Sequence, residues 1–241
     1  MSSCEILPFS ATLPDTVIFD LDGTLVDSAP DLTGALNATL ASLGLAALPE
    51  AEVRHMVGHG ARKLIERGLE AHAVPKSASE IDALVEHFIH YYAGHVADHS
   101  VAFPGVVATL NWLRARGVRL GVCTNKPVVL AKQLIVALEL DGYFPTDAIL
   151  GGDSLTVKKP DGRHLIATVE ALSGDLDRTV MVGDSATDLN AARDAGVPAV
   201  LVTFGYTPIP AEKLGADAVI GHFSELPHVL TQVLDRTGAR H

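Results

Sequence analysis

The chain has 241 residues, 48% of them hydrophobic, and a formal net charge of -11. That is enough length and apolar content to bury a core, but its longest apolar runs fall far short of the roughly 18 residues a bilayer span requires. The acidic balance argues against a nucleic-acid partner, whose phosphates would be repelled. Only two cysteines occur, Cys4 and Cys123, which excludes a disulfide framework and favours a reducing compartment. Residues 1–5 lack the basic and apolar regions of a signal peptide. The expected protein is cytoplasmic, binds no membrane and is a monomer or homodimer.

In chain order, the first clear element is 16–19, Thr16-Val17-Ile18-Phe19, a short apolar and β-branched run that reads as a strand buried on both faces. It leads into Asp20-Leu21-Asp22-Gly23-Thr24. Side chains alternate along an extended chain, so Asp20 and Asp22 leave the strand end in roughly the same direction, and Gly23 permits a sharp turn. Two like charges this close repel, and the carboxyl end of a strand in an open α/β sheet is where ligands bind. A bound cation accounts for the pair more simply than structure does.

After Asp27 the pattern turns helical. Leu32, Leu36, Leu40 and Leu43 share one face, and the same spacing continues through Leu64, Ile65, Leu69, Leu84, Phe88 and Tyr92 with no convincing strand before 103. From Phe103-Pro104-Gly105 onward, helix and strand alternate. Helices are expected at 106–116, 128–140, 163–172 and 186–195, and strands at 118–124, 148–151, 179–183, 199–203 and 218–220. Alternation of this kind builds right-handed βαβ units. The expected fold is therefore α/β, a doubly wound, Rossmann-like parallel sheet with a small all-helical cap domain inserted after the first strand. Residues 1–26 and 104–241 would form the core, and 27–103 the cap.

The ends of the core strands are polar: Asp20-Leu21-Asp22, Cys123-Thr124-Asn125-Lys126 and Gly183-Asp184-Ser185-Ala186-Thr187-Asp188, with Lys158-Lys159-Pro160 between the last two. Converging on one sheet edge, they gather carboxylates, a hydroxyl and an ammonium. Mg²⁺ prefers such a site, with one or two carboxylates and substrate phosphate oxygens. Each residue also has a plainer reading. Asp188 or Asp27 alone suits a turn or cap, Thr124-Asn125 could cap the helix that Pro127 begins, and Lys158-Lys159 could be a solvated pair.

Taken together, Asp20-x-Asp22-Gly23-Thr24, Thr124-Asn125, Lys159-Pro160 and Gly183-Asp184-Ser185-x-x-Asp188 resemble the four motifs of the haloacid dehalogenase-like superfamily. Asp20 through Ser28, 151–155 and 203–206 are similar to its phosphoglycolate phosphatase branch. Gly162 departs from that branch, which carries proline there, and the difference reads as one of backbone order worth about 1 kcal/mol.

The resemblance implies a Mg²⁺-dependent phosphatase acting on a small phosphorylated substrate, 2-phosphoglycolate first of all, through an aspartyl-phosphate. The alternatives are a phosphomutase of the β-phosphoglucomutase type, or a phosphatase for pyrophosphate, a nucleotide or a sugar phosphate. Asp20 is the implied nucleophile and Asp22 the acid and then base. Asp20, the Asp22 carbonyl and Asp184 are the implied metal ligands. Thr124, Asn125 and Lys159 would bind the phosphate, while Ser185 and Asp188 would orient the metal site and Lys159. Of the two lysines, Lys159 matches the motif. Insertions of this family close over the substrate, so Arg62, in the 58–63 stretch, is expected to meet a substrate carboxylate. The pairs His55/His59 and His95/His99 stand four apart but lack an evident third ligand, and read as helix surface.

Overall fold

Strand β1 (Thr16–Phe19) occupies an interior position in a six-stranded, wholly parallel sheet. The structure, a computed structural model, describes residues 13–238; Cys4 and the amino-terminal segment read above lie outside them. With β4 (Arg119–Cys123), β5 (Ile149–Leu150), β6 (Thr179–Gly183), β7 (Ala199–Val202) and β8 (Ala218–Ile220), the order is β5-β4-β1-β6-β7-β8. Both neighbours of β1 are in register with it, Phe19 lying beside Val122 of β4 and Val182 of β6.

The two-residue period sorts the strands' side chains onto two faces. Val17, Phe19, Val122, Val180 and Val182 pack with Leu110 of α5 (Val106–Arg114), Leu134 of α6 (Val128–Ala137) and Leu230 of α9 (Leu226–Gly238). Ile18, Cys123 and Met181 face the other way, onto Leu165 of α7 (Gly162–Ala171) and Leu189 of α8 (Ala186–Asp194). This is the expected doubly wound core. Strands β1, β6 and β8 keep the expected bounds, α7 begins one residue before its own, and the other ends lie up to three residues inside them, as terminal turns fray. Helix α9 lies beyond the last element expected.

Between β1 and β4 stand α1 (Ala29–Ala41), α2 (Glu50–Val53), α3 (Ala61–Ala71) and α4 (Ala78–Ala93). Their buried residues, among them Leu36, Leu40, Ile65, Leu69, Phe88 and Tyr92, form a separate apolar cluster that meets the core helices at Leu130 of α6. One feature differs from the all-helical expectation. Strands β2 (Val26–Asp27) and β3 (Val101–Ala102) form an antiparallel ladder joining the chain entering the helices to the chain leaving them. Two residues are too few to show a period, so sequence spacing could not reveal them.

Gly162 also carries more than backbone order. Its amide donates to Asp194 Oδ2 at 2.7 Å, and a Cβ there would stand 2.6 Å from the Ala195 nitrogen. Proline would remove that donor and collide with the end of α8. Among the described residues no helix is long and apolar enough to cross a membrane.

Candidate active site

The ends of β1, β4 and β6 and the loop before α7 bring Asp20, Asp22, Thr124, Lys159, Asp184 and Asp188 to one edge of the sheet, each at most 8% exposed. The amide of Asp20 donates to the Val182 carbonyl at 2.9 Å, which extends the β1–β6 pairing by one residue and fixes that side chain at the strand end. Gly23 then turns the chain at φ +84°, and a Cβ in its place would lie 2.6 Å from Asp184 Oδ2. Only glycine combines that conformation with so close an approach.

Lys159 stands at the centre, its Nζ 2.8 Å from Asp20 Oδ1 and 2.6 Å from Asp188 Oδ1. It precedes Pro160 across a cis peptide bond. The other oxygen of Asp188 accepts from Ser185 Oγ at 2.7 Å and from the Ser185 amide at 3.1 Å, a capping box at the start of α8. Capping and active-site roles therefore coincide in Asp188, which caps with one oxygen and holds Lys159 with the other. Lys158 reaches outward to the His59 carbonyl at 3.4 Å. The geometry places Lys159, not its neighbour, in the site.

Carboxylate oxygens of Asp20, Asp184 and Asp188 lie within 4.8 Å of one another, the one such cluster among the described residues. Burial, with Asp188 and Asp22 adding negative charge, pushes Asp20 up to about 7 against the pull of Lys159. Burial and the charges of Asp188 and Asp20 likewise hold the carboxyl of Asp184 well above the usual carboxylate range. Fully ionised, three carboxylates around one ammonium leave two negative charges unmatched, which is why burial favours their protonated forms when nothing else balances them. Two negative charges are what one divalent cation balances, and the donors are the hard oxygens such an ion takes. The cluster fits a metal ion.

Asp22 lies on the other side. It accepts from Ser28 Oγ at 2.5 Å and from Lys126 Nζ at 3.0 and 3.3 Å. Lys126 also donates to the Tyr92 hydroxyl at 2.9 Å. Burial opposes its charge, but Asp22 and Tyr92 outweigh it and raise the lysine's pKa. A cavity of about 40 Å³ opens here, lined by Asp20, Asp22, Thr124, Asn125 and Lys126 from the core and by Gly60, Leu64 and Tyr92, among others, from the helical segment. Thr124 Oγ1 accepts from the Lys126 amide at 3.2 Å. Asn125 bridges the two parts, donating to the Gly58 and Lys159 carbonyls at 3.2 and 3.0 Å.

Arg62 is the exception. Its guanidinium pairs with Asp82 of α4 on the exposed surface and lines no part of the cavity. The inner face of α3 is set by Leu64, Ile65, Gly68 and Leu69, and Arg62 stands at the edge of that stripe, in the first turn, where its side chain turns outward to Asp82. Neither histidine pair forms a metal site. His55 and His59 donate to or contact the Tyr206 carbonyl (3.3 Å) and Thr187 Oγ1 (3.5 Å), and His95 pairs with Asp98 at 2.7 Å. Sequence reasoning missed Lys126, although it directly follows Thr124-Asn125, and missed Tyr92, Ser28 and Tyr206. Tyr206 joins the site from afar: its amide donates to Asp184 Oδ2 at 2.6 Å, and its hydroxyl accepts from the amides of Ser28 and Ala29 at 2.7 and 3.0 Å.

A parallel sheet with buried carboxylates, a lysine and a small cavity at one edge is the arrangement of a hydrolase for anionic esters. Residues 17–202 match the model of the haloacid dehalogenase-like hydrolases, and the chain belongs to that family. It is 51% identical to the phosphoglycolate phosphatase of Caulobacter vibrioides over 91% of this chain and 92% of that protein. Its identity to the phosphoglycolate phosphatase of Agrobacterium fabrum is 44%, over 95% of this chain and 98% of the other. The crystal structure of a predicted phosphoglycolate phosphatase from Haemophilus somnus superposes with a TM-score of 0.82 at 29% identity, covering 90% of this chain and 98% of that one.

Proposed function

We propose that this protein is a phosphoglycolate phosphatase that hydrolyses 2-phosphoglycolate to glycolate and phosphate. The observation that carries the reading is the juxtaposition of Asp20, Lys159, Asp184 and Asp188 at the sheet edge, beside the cavity that Asp20, Asp22 and Lys126 line. The two relatives named above are phosphoglycolate phosphatases matched over nearly their full length, which supports the same choice.

In the first half-reaction a carboxylate oxygen of Asp20 attacks phosphorus while the bond to the glycolate oxygen breaks, and Asp22 gives that oxygen a proton. In the second, Asp22 takes a proton from water, the resulting hydroxyl attacks phosphorus, and the bond to Asp20 breaks to release phosphate. A carboxylate needs no base to prepare it as nucleophile. The obstacle is charge, since a pair of like unit charges about 4 Å apart costs about 4 kcal/mol at an effective dielectric near 20. Lys159, already 2.8 Å from Asp20, offsets part of it. Thr124, Asn125 and the amides beyond β4 supply donors for the phosphoryl oxygens. Mg²⁺ held by Asp20, Asp184 and the Asp22 carbonyl would neutralise the rest, and Asp188 and Ser185 would keep Lys159 and the start of α8 in place.

Residues 27–103 act in this reading as a cap that covers the site, with 1–26 and 104–241 as the catalytic core. The separate apolar cluster of α1–α4 and the β2–β3 ladder at their root support that division. The enzyme is read as cytoplasmic and as a monomer or homodimer. Phosphate release from 2-phosphoglycolate tests the proposal. It should require Mg²⁺, stop with a chelator, and vanish in Asp20→Asn. Transfer of the phosphoryl group to a sugar without release of free phosphate would instead indicate a mutase and overturn it.

A further inference from the structure

The leaving group of 2-phosphoglycolate is itself anionic, so the cavity must hold a second negative charge beside Asp20 and Asp22. Much of its wall is apolar, including Leu32, Leu64, Phe88 and Leu130, and a carboxylate buried there without a partner would be strongly disfavoured. Arg62 is spent on Asp82 at the surface. Among the described residues lining the cavity, Lys126 is the sole cation.

Lys126 is held in place from both sides. Its Nζ lies 3.0 Å from Asp22 of the core and 2.9 Å from the Tyr92 hydroxyl of α4. An ammonium has three donors, and the two Asp22 oxygens, at 3.0 and 3.3 Å, can share one of them, which leaves one for a ligand beside Tyr92. Tyr92 also has a proton to offer. Its hydroxyl accepts from Lys126, while its acceptor, the Val96 carbonyl, is 3.5 Å away, too long for a good O–H···O bond. Burial, acting with Asp22 against the pull of Lys126, pushes the Tyr92 phenol up to about 12, so it keeps that proton at neutral pH. One N–H and one O–H, on atoms 2.9 Å apart at the cavity wall, match the two oxygens of a carboxylate.

We propose that Lys126 and Tyr92 form the subsite for the leaving group's carboxylate, and that this pair selects phosphomonoesters of small hydroxy acids. One member comes from the end of β4 and the other from the cap helix, so a bound carboxylate bridges the two parts of the molecule. The proposal rests on the phosphatase reading above and adds to it the residues that discriminate between substrates.

The test compares 2-phosphoglycolate with 2-hydroxyethyl phosphate, in which a hydroxymethyl replaces the carboxylate, in the Mg²⁺-supplied enzyme and its Lys126→Met and Tyr92→Phe variants. The unaltered enzyme should favour 2-phosphoglycolate by about 100-fold or more in kcat/KM. Lys126→Met should shrink that ratio by at least about 30-fold, chiefly through a higher KM for 2-phosphoglycolate, and Tyr92→Phe by about 5-fold. Equal losses on both esters would mean that Lys126 acts only through Asp22, and would overturn the proposal. So would an unaltered enzyme that cleaves both esters equally well. If Lys126→Met does not fold, Tyr92→Phe decides, and an unchanged ratio there refutes the subsite. Failure of the unaltered enzyme to cleave either ester or an aryl phosphate would instead remove the phosphatase reading, and the subsite with it.

Discussion

Asp20 carries a cost as well as a function. Buried beside Asp188 and Asp22, its carboxyl is raised from 3.8 to about 7 in the fold, so between those values the folded state binds more protons than the unfolded one. Stability contributed by this group is therefore present at low pH and lost as pH rises through about 7, on the order of 4 kcal/mol in all. Asparagine at this position removes the charge and leaves Lys159 paired with Asp188 at 2.6 Å. In the presence of a chelator at pH 8, Asp20→Asn is thus expected to melt above the unaltered protein. Millimolar Mg²⁺ should narrow or reverse that order, because the ion stabilises only the form that binds it well. Thermal melts with and without the metal check this, and an unaltered protein that melts higher in chelator would contradict the account of a charge-strained cluster. The same reasoning explains why the acidic half of the site was readable from sequence: one aspartate at a strand end reads as a turn or cap, but the Asp20-Asp22 pair together with Asp184 and Asp188 at another strand end points to an ion. Lys126 and Tyr92 were opaque for the opposite reason. Each is ordinary in its own element, and they become a pair only across 34 residues of separation.

At the scale of elements, two side chains fasten the root of the helical segment: Asp31, which accepts from the amides of His99 and Ser100, and Tyr206. The Tyr206 hydroxyl accepts from the amides of Ser28 and Ala29, which open α1, and donates to Asp27 Oδ1 of β2 at 2.8 Å. The amide of the same residue holds Asp184. Ser28 is free to spend its hydroxyl on Asp22 because Tyr206 satisfies the helix start in its place. Removing the hydroxyl in Tyr206→Phe leaves two buried donors unpaired, at about 1–3 kcal/mol. For a chain of this size that corresponds to a fall in Tm of roughly 2–12 °C. A several-fold loss in kcat/KM should accompany it, since Asp22, Asp27 and Asp184 all lean on the same anchor. Unchanged Tm and activity would show that the β2–β3 ladder and Asp31 hold the root without the Tyr206 hydroxyl. This anchor explains a limit of reading elements from spacing. The sheet and helices follow from local period, whereas Tyr206 meets Ser28 across 178 residues, a distance at which no periodicity exists. Arg62 shows the same limit in reverse, since a loop-like stretch suggested a free cation and α3 turned it to the surface.

At the scale of the whole molecule, two opposing fields act on an anionic substrate. The formal net charge is -11, so the approach from solvent is repulsive, while the groups proposed to receive the phosphate and the carboxylate, Lys159 and Lys126, have side chains 1% and 3% exposed. Buried charges paired with carboxylates project little field beyond the cavity mouth, and salt screens them far less than it screens the surface. The repulsion is long-ranged and screenable, whereas the attraction is short-ranged and largely immune. Raising an inert salt from 0.01 to 0.1 M shortens the Debye length from about 30 to about 10 Å. With Mg²⁺ saturating throughout, kcat/KM for 2-phosphoglycolate should therefore rise by about 2- to 5-fold over that range. An aryl phosphate, with one negative charge fewer, should rise less. The measurement is a pair of initial-rate series at constant pH. A rate constant that falls with salt for both substrates would show that a positive local field at the mouth governs capture, contrary to the picture of a cation pair reached only at contact.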